Sequence, residues 1–352
     1  MDIFFLKKRA VFFIFSCFIC LFCCSCQSEH SREQYHTADF FAMDTSITFT
    51  AYGSDAQTAI SAAEEKVTQL ESLFSTTKTH SDIAVLNQTK TTAVSSEVLA
   101  VLQTALQLYH DTDGAFNPAL YPVLKAWGFT TEQYQIPDSN TLLQQLQHID
   151  ANTIHLDLAS QTVTLTDPAT EIDLGGIVKG YASDQLIELF RRQGVSSAIV
   201  SLGGNIQTLG RKPDGSLWKV GIQNPFHPEA CIGLVEIEEQ AVITSGAYQR
   251  YFVGIDGKQY HHIIDSRTGA PAESDLASVT IVSDSGILAD GLSTALFIMG
   301  KEQALEYWQQ HTSEFDTVLV TKDNHIIITE GLRSHFQSDS DYYIVEQKKK
   351  GL

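Results

Sequence analysis

Residues 285–300, Ser-Gly-Ile-Leu-Ala-Asp-Gly-Leu-Ser-Thr-Ala-Leu-Phe-Ile-Met-Gly, constrain the fold more than any other stretch of the chain. At helical spacing the segment is apolar on nearly every side, which predicts a helix buried inside a core rather than laid on a surface. One carboxylate, Asp290, interrupts it. An ionised carboxylate removed from water is costly unless it is paired or bound to a cation. Asp290 and Thr294 stand at i and i+4, so their oxygens share one helix face. Gly291 between them leaves room for another backbone to approach. No Lys or Arg sits within one turn on this helix. Two readings follow. Asp290 is a hydrogen-bonded core residue, paired with a distant Arg such as Arg250 or Arg267, or it binds a hard cation such as magnesium, which completes its shell with phosphates and water.

The rest of the chain supplies a body large enough to bury such a helix: 352 residues, 43% hydrophobic and 18% charged. Apolar residues Ile60, Ala63, Val67, Leu70 and Phe74 recur at helical spacing. A second amphipathic helix is predicted over 95–111, and further helices over 176–192, 286–299 and 302–310. Strands are expected near 46–52, 154–157, 162–166, 197–202, 218–222, 233–238, 276–282, 317–321 and 325–329. The two near 154–166 read as a hairpin. The elements alternate without a βαβ rhythm, which predicts an α+β fold of mixed, mostly antiparallel sheets with packed helices in a single domain over residues 40–336. Residues 337–352 read as a tail.

The first 25 residues read as a targeting segment. Lys7, Lys8 and Arg9 precede an apolar run from Ala10 to Cys24 that is short for a membrane span and suits a signal-peptide core. Ser25-Cys26 followed by Gln27-Ser28-Glu29 resembles a bacterial lipoprotein cleavage site, with Cys26 as the lipidated residue and Cys24 as the alternative. The expectation is an exported protein, lipid-anchored to the cell membrane, with residues 26–39 as a polar tether. The formal charge of −19 disfavours nucleic-acid partners.

Standard nucleotide motifs are absent. Gly175 to Gly180 has Walker-like glycine spacing, but Tyr181 stands where Lys is required. What remains is a set of loops with unusual local demands. Glu171-Ile-Asp-Leu-Gly-Gly-Ile-Val-Lys-Gly-Tyr-Ala places two glycines before a helix whose free N–H groups, with Lys179, suit an anion; an ordinary tight turn is the plain alternative. Tyr260-His-His-Ile-Ile-Asp-Ser-Arg-Thr-Gly gathers two His, an Asp and an Arg, and one His is a candidate general base.

Seven ordered motifs over about residues 40–335 resemble the ApbE family of FAD:protein FMN transferases: Met43-Asp-Thr, Gly114-Ala-Phe-Asn-Pro, Asp173-Leu-Gly-Gly-Ile-Val-Lys-Gly-Tyr-Ala, Leu202-Gly-Gly-Asn, Thr244-Ser-Gly-Ala-Tyr-x-Arg, His262-Ile-Ile-Asp-Ser-Arg-Thr-Gly and Asp290-x-x-Ser-Thr-Ala. The resemblance implies a T-fold-related catalytic domain that binds FAD as substrate with magnesium. It implies metal ligands at Asp290, Thr294 and the backbone oxygen of Gly176. It implies FAD contacts at Met43, Ala115, Phe116, Asn117, Asp173, Lys179 and Ile264, and a base at His262. The implied partners are exported acceptor proteins, such as subunits of membrane redox complexes, that receive FMN on a Ser or Thr as AMP leaves. The chain departs from the family pattern at Thr77, where many members carry Tyr, at Asn117 in place of Asp, and at Ser266 in place of Pro. The alternatives are an FAD pyrophosphatase with water as acceptor and a flavin-binding lipoprotein without chemistry.

Overall fold

The computed structural model describes residues 34–131 and 133–348; the segment read as a signal peptide, with Cys24 and Cys26, lies outside them. Nine strands make one sheet whose spatial order follows the chain: Tyr35–Ala42, Thr45–Tyr52, Ala198–Leu202, Asn205–Leu209, Ala241–Gly246, Leu276–Ser283, Asp316–Thr321, Ile326–Thr329 and Tyr342–Val345. Neighbours are antiparallel except the last pair. Eight α-helices accompany the described strands: α1 Ala56–Phe74, α2 Asp82–Thr89, α3 Ser96–Asp111, α4 Tyr121–Trp127, α5 Ser139–Gln145, α6 Val178–Arg192, α7 Gly286–Met299 and α8 Lys301–Gln310. The fold is α+β, as the sequence predicts.

Strand periodicity divides the interior into two cores. Ala241 and Ile243 face the helical layer of α1, α3, α6 and α7, whereas Val242 between them faces a second core with Trp218, Val220 and Val235. A three-stranded sheet of Trp218–Gln223, Cys231–Ile237 and Phe336–Gln337 supplies that second layer. A smaller cluster of Val123, Trp127, Phe129, Ile149 and Ile264 forms a satellite. Helix α7 is buried on nearly all sides, starts at Ser285, whose side chain accepts the Leu288 N–H, and ends at Gly300. The predicted hairpin is present, pairing Ile154–Asp157 with Thr162–Leu165.

Two boundaries differ from expectation. The strand Tyr35–Ala42 takes in the end of the segment read as a tether, and Tyr342–Val345 joins the sheet from the segment read as a tail. Both are outer strands with mixed exposure, so they lack the apolar run that marks an inner strand.

Candidate active site

Helices α6 and α7 cross at glycines. A Cβ on Gly180 would stand 2.7 Å from the Asp290 Cβ and 2.6 Å from the Gly286 carbonyl carbon. A Cβ on Gly286 would stand 2.6 Å from both the Gly180 carbonyl oxygen and the Ser183 Oγ. Bare backbone is therefore a demand of space here. The approach lets each helix cap the other. The first N–H groups of a helix have no partner within it. The Gly180 N–H of α6 donates to Asp290 Oδ2 at 2.9 Å. In return Asp184 of α6 accepts the Gly286 and Ile287 N–H groups of α7 at 2.7 and 2.9 Å, and Gln207 Nε2 at 2.8 Å. Burial raises the Asp184 pKa, with those bonds acting against it. The backbone approach expected at Gly291 occurs instead at Gly180 and Gly286, while Gly291 receives the Leu108 side chain of α3.

Asp290 is 4% exposed. Neither candidate Arg pairs with it. The Arg250 guanidinium donates to the Phe129 carbonyl, and Arg267 grips Asp265 at 2.7 Å. One turn on, Thr294 Oγ1 lies 3.3 Å from Ser245 Oγ, itself 2.8 Å from Ser293 Oγ. Gly176 lies against the same hydroxyl: a Cβ there would be 3.9 Å from Thr294 Oγ1 and 3.3 Å from the Phe116 ring. Among the described residues no three His, Cys, Asp or Glu side chains gather as a metal group. The Ser293 hydroxyl is spent on the Asp290 carbonyl, so the local donors are one carboxylate, the Thr294 and Ser245 hydroxyls and backbone oxygen. That set fits a hard ion that keeps places for phosphate and water.

Beside it, the loop before α6 turns back on itself. Asp173 Oδ1 accepts the Gly175 N–H at 2.9 Å, and Lys179 Nζ donates to the Gly175 carbonyl at 3.3 Å. The Asp173 N–H donates to the Pro118 carbonyl at 2.9 Å, which ties residues 114–118 to this loop. Burial raises the Asp173 pKa; the Gly175 N–H and the charges of Lys179 and Arg250 oppose that.

A two-stranded hairpin, Tyr251–Val253 with Gln259–His261, leads into His262. The Arg250 carbonyl accepts twice from that residue, from its N–H at 3.1 Å and from Nδ1 at 3.0 Å. A carbonyl only accepts, so the neutral ring carries its proton on Nδ1 and leaves the Nε2 lone pair free. Burial lowers the His262 pKa to about 4, despite the Arg250 carbonyl, and the charges of Arg250 and Lys179 push the same way. The imidazole is therefore neutral at pH 7. It is a proton acceptor held in one tautomer.

A family model described as the ApbE family matches residues 43–319, more than half of the chain. The chain belongs to the ApbE family. An FAD:protein FMN transferase of Klebsiella pneumoniae (strain 342) is 36% identical over 72% of this chain and 78% of its own length. One from Treponema pallidum (strain Nichols) is 34% identical over 75% and 77%. The crystal structure of the ApbE protein of Thermotoga maritima superposes with a TM-score of 0.80 at 30% identity, covering 86% of this chain and 99% of that one.

The ApbE motifs fall unevenly around the site. Thr294, Gly176 and Phe116 meet directly, Asp290 stands one turn before Thr294 against Gly180, and Asp173, Lys179, Arg250 and His262 share one electrostatic neighbourhood. Ala115 is half-buried beside Phe116. Met43 sits in the two-residue turn between the first two strands, with φ of 51° there and 56° at Asp44, and its N–H donates to Glu71 at 3.1 Å. A non-glycine pair in that conformation is uncommon and strained. Asn117 is committed to the fold, donating to the Ile149 carbonyl at 2.9 Å and accepting the Ala119 N–H at 2.8 Å. The Ile264 side chain is buried in the satellite core and is not open to a ligand. Ser245 and Asp184 were not singled out from sequence. Ser245 stands inside the Thr244-Ser-Gly motif, and Asp184 follows Gly180 by one helical turn.

Proposed function

We propose that this protein transfers FMN from FAD to a Ser or Thr hydroxyl of an exported acceptor protein, with magnesium, releasing AMP. Flavin transfer itself follows from membership of a family whose similar relatives are named FAD:protein FMN transferases. The observation that carries the chemistry is the pairing of a neutral, single-tautomer His262 with a buried Asp290 that has no cationic partner among the described residues. Asp290, Thr294, Ser245 and the Gly176 backbone would hold the ion. When bound, magnesium neutralises charge on the transferring phosphate and on the leaving AMP.

The chain's own residues do the rest. Lys179, on the first turn of α6, supplies positive charge for the FAD phosphates. His262 Nε2 accepts the proton of the acceptor hydroxyl as its oxygen attacks the FMN phosphorus. The bond from that phosphorus to the AMP oxygen breaks, and AMP departs with the electron pair. A hydrolytic reading has one observation in its favour: Thr77 is exposed and its amide bonds only to Ser75, so no aromatic platform for the flavin stands there. The basic-apolar-cysteine order of residues 7–26 supports export and anchoring through Cys26. Among the described residues no helix is long and apolar enough to cross a membrane.

The test is incubation with FAD, magnesium and a Thr-bearing acceptor subunit, followed by intact-mass measurement and AMP quantification. Transfer adds one FMN to the acceptor for each AMP. Free FMN with AMP and no mass gain would establish the hydrolase instead, and no AMP at all would leave a flavin carrier.

A further inference from the structure

Among the described residues, five of the eleven exposed large apolar side chains gather on one feature. Tyr251, Val253 and Ile255 belong to the hairpin that ends at His262 and share its outer face, whereas Tyr134 and Ile136 lie at its other face, against Phe252 and Gly254. Tyr251 is 47% exposed, Val253 64%, and Ile255 is fully exposed. Grouped exposed apolar side chains mark interaction surfaces more often than scattered ones do. The hairpin is held from its other face. Phe252 stacks on Tyr134 at 5.2 Å and on Tyr260 at 5.4 Å, Tyr260 packs on Trp127 at 5.3 Å, and the Tyr260 hydroxyl donates to Asp256 at 2.7 Å.

The hairpin also has a free edge. Its ladder includes Gly254 N–H to the Lys258 carbonyl and His262 N–H to the Arg250 carbonyl. Hydrogen-bonded pairs alternate along an antiparallel ladder, so residues 250, 252 and 254 face the partner strand, while the N–H and C=O groups of Tyr251 and Val253 point outward. Among the described residues those groups have no partner. An extended peptide that adds to such an edge gains main-chain bonds, with side-chain contacts on the flanking faces.

We propose that this edge is the docking strand for the acceptor protein. An extended acceptor segment lies along Tyr251–Val253, an apolar acceptor side chain rests on Val253 and Ile255, and the Ser or Thr hydroxyl is delivered to His262. The reach is right: three residues of strand span about 10 Å, the distance from Val253 to Arg250, whose carbonyl holds the His262 ring. The assignment rests on the transfer reading above, because only a macromolecular acceptor needs such a surface.

The experiment uses the Thr-bearing acceptor subunit that the wild-type protein flavinylates, with its Thr→Ala variant as a blank. The double substitution Val253→Glu with Ile255→Glu should raise the acceptor KM at least tenfold, with kcat at saturating acceptor and FAD affinity within twofold of wild type. Ile255→Glu alone, at a fully exposed position, should give a smaller rise in the same direction. Leu158→Glu, at an exposed apolar site on another hairpin, should change nothing. An unchanged acceptor KM, an equal effect from Leu158→Glu, or loss of a dimer on sedimentation of the double variant would overturn the assignment. Absence of transfer by the wild-type protein would strike the underlying reading first, and the docking strand with it.

Discussion

Replacing Gly180 by Ala tests the helix crossing on which the site is built. The added methyl would lie 2.7 Å from the Asp290 Cβ, where ordinary contacts between such atoms are 3.4–4 Å. The obstacles are the Gly286 backbone and a Cβ rather than a flexible side-chain end, so α6 and α7 must part by roughly 1 Å. Overpacking of that kind costs about 1–3 kcal/mol. The better helix propensity of Ala offsets up to about 1 kcal/mol, and loss of the Gly180 N–H bond to a buried carboxylate adds roughly 1.5–3 kcal/mol. The net destabilisation is then about 1.5–6 kcal/mol, a drop in Tm of several degrees or more for a domain this size. Activity should fall further than stability, because a shift of about 1 Å at reacting groups costs on the order of 100-fold. The assay is thermal unfolding by circular dichroism beside the rate of magnesium-dependent FAD cleavage at 25 °C, where the variant remains folded. Gly215→Ala is the control: it meets no atom within 4 Å and has φ of 81°, so it should cost only the left-handed strain, about 1–2 kcal/mol, with turnover intact. A Gly180→Ala protein with wild-type Tm and turnover would refute the crossing as the support of Asp290.

Three further outcomes are expected. Asp290→Asn keeps an oxygen for the Gly180 N–H, so the metal-free protein should melt at or above the wild-type temperature, while the rise in Tm on adding magnesium and nearly all FAD cleavage disappear; a retained magnesium-dependent Tm rise would remove Asp290 from the metal site. Because His262 must be neutral to accept a proton and its pKa is lowered to about 4 by burial, FMN transfer should hold a plateau from neutral pH downward and fall only as pH approaches about 4. His262→Ala should erase that limb, slow transfer and leave the FAD dissociation constant unchanged, whereas a limb near 6.5 would mean an unperturbed imidazole. The same shift makes the unfolded chain take up a proton between about pH 6.5 and 4 that the folded state refuses, so this residue's contribution to stability declines as pH falls through that window. Cys26→Ser should leave an unlipidated protein with its activity intact, as read by metabolic lipid labelling; unchanged labelling would assign the anchor to Cys24.

Helix α7 was legible because its information is local: a run apolar on nearly every side, a Ser cap and a closing Gly all lie within sixteen residues. The hairpin at 154–165 was legible for the same reason. The order of the nine-stranded sheet was not, since Thr45–Tyr52 pairs with Ala198–Leu202 across most of the helical layer, and no local pattern records such a pairing. The site divides in the same way. Asp290 and Thr294 announce themselves by i, i+4 spacing in an apolar helix, but the Gly180 amide that holds Asp290 is 110 positions away. The group that fixes the His262 tautomer is the Arg250 carbonyl, a backbone atom that every residue possesses. Sequence names side chains, and here main-chain groups at Gly180 and Arg250 do part of the positioning.

The two substrates of the proposed reaction meet on supports of different kinds. The side that would hold the FAD phosphates is built on α6 and α7, each capped by the other's carboxylate and pressed together at Gly180 and Gly286, with the main sheet beneath. The side that carries His262 is a short hairpin outside that sheet, fastened by the Trp127, Phe129, Phe252 and Tyr260 rings. The two sides touch where the Ser266 hydroxyl donates to the Gly114 carbonyl at 2.8 Å and where the His261 ring packs edge-on against Phe297 of α7 at 5.8 Å. Perturbations should therefore separate. Changes at the helix crossing should damage FAD cleavage by any acceptor, water included. Changes that loosen the aromatic seat, such as Phe252→Ala, should spare slow hydrolysis and damage transfer to protein, because only transfer needs a second macromolecule aligned along the hairpin. A Phe252→Ala protein that lost hydrolysis and transfer in equal measure would show the two supports to be one mechanical unit.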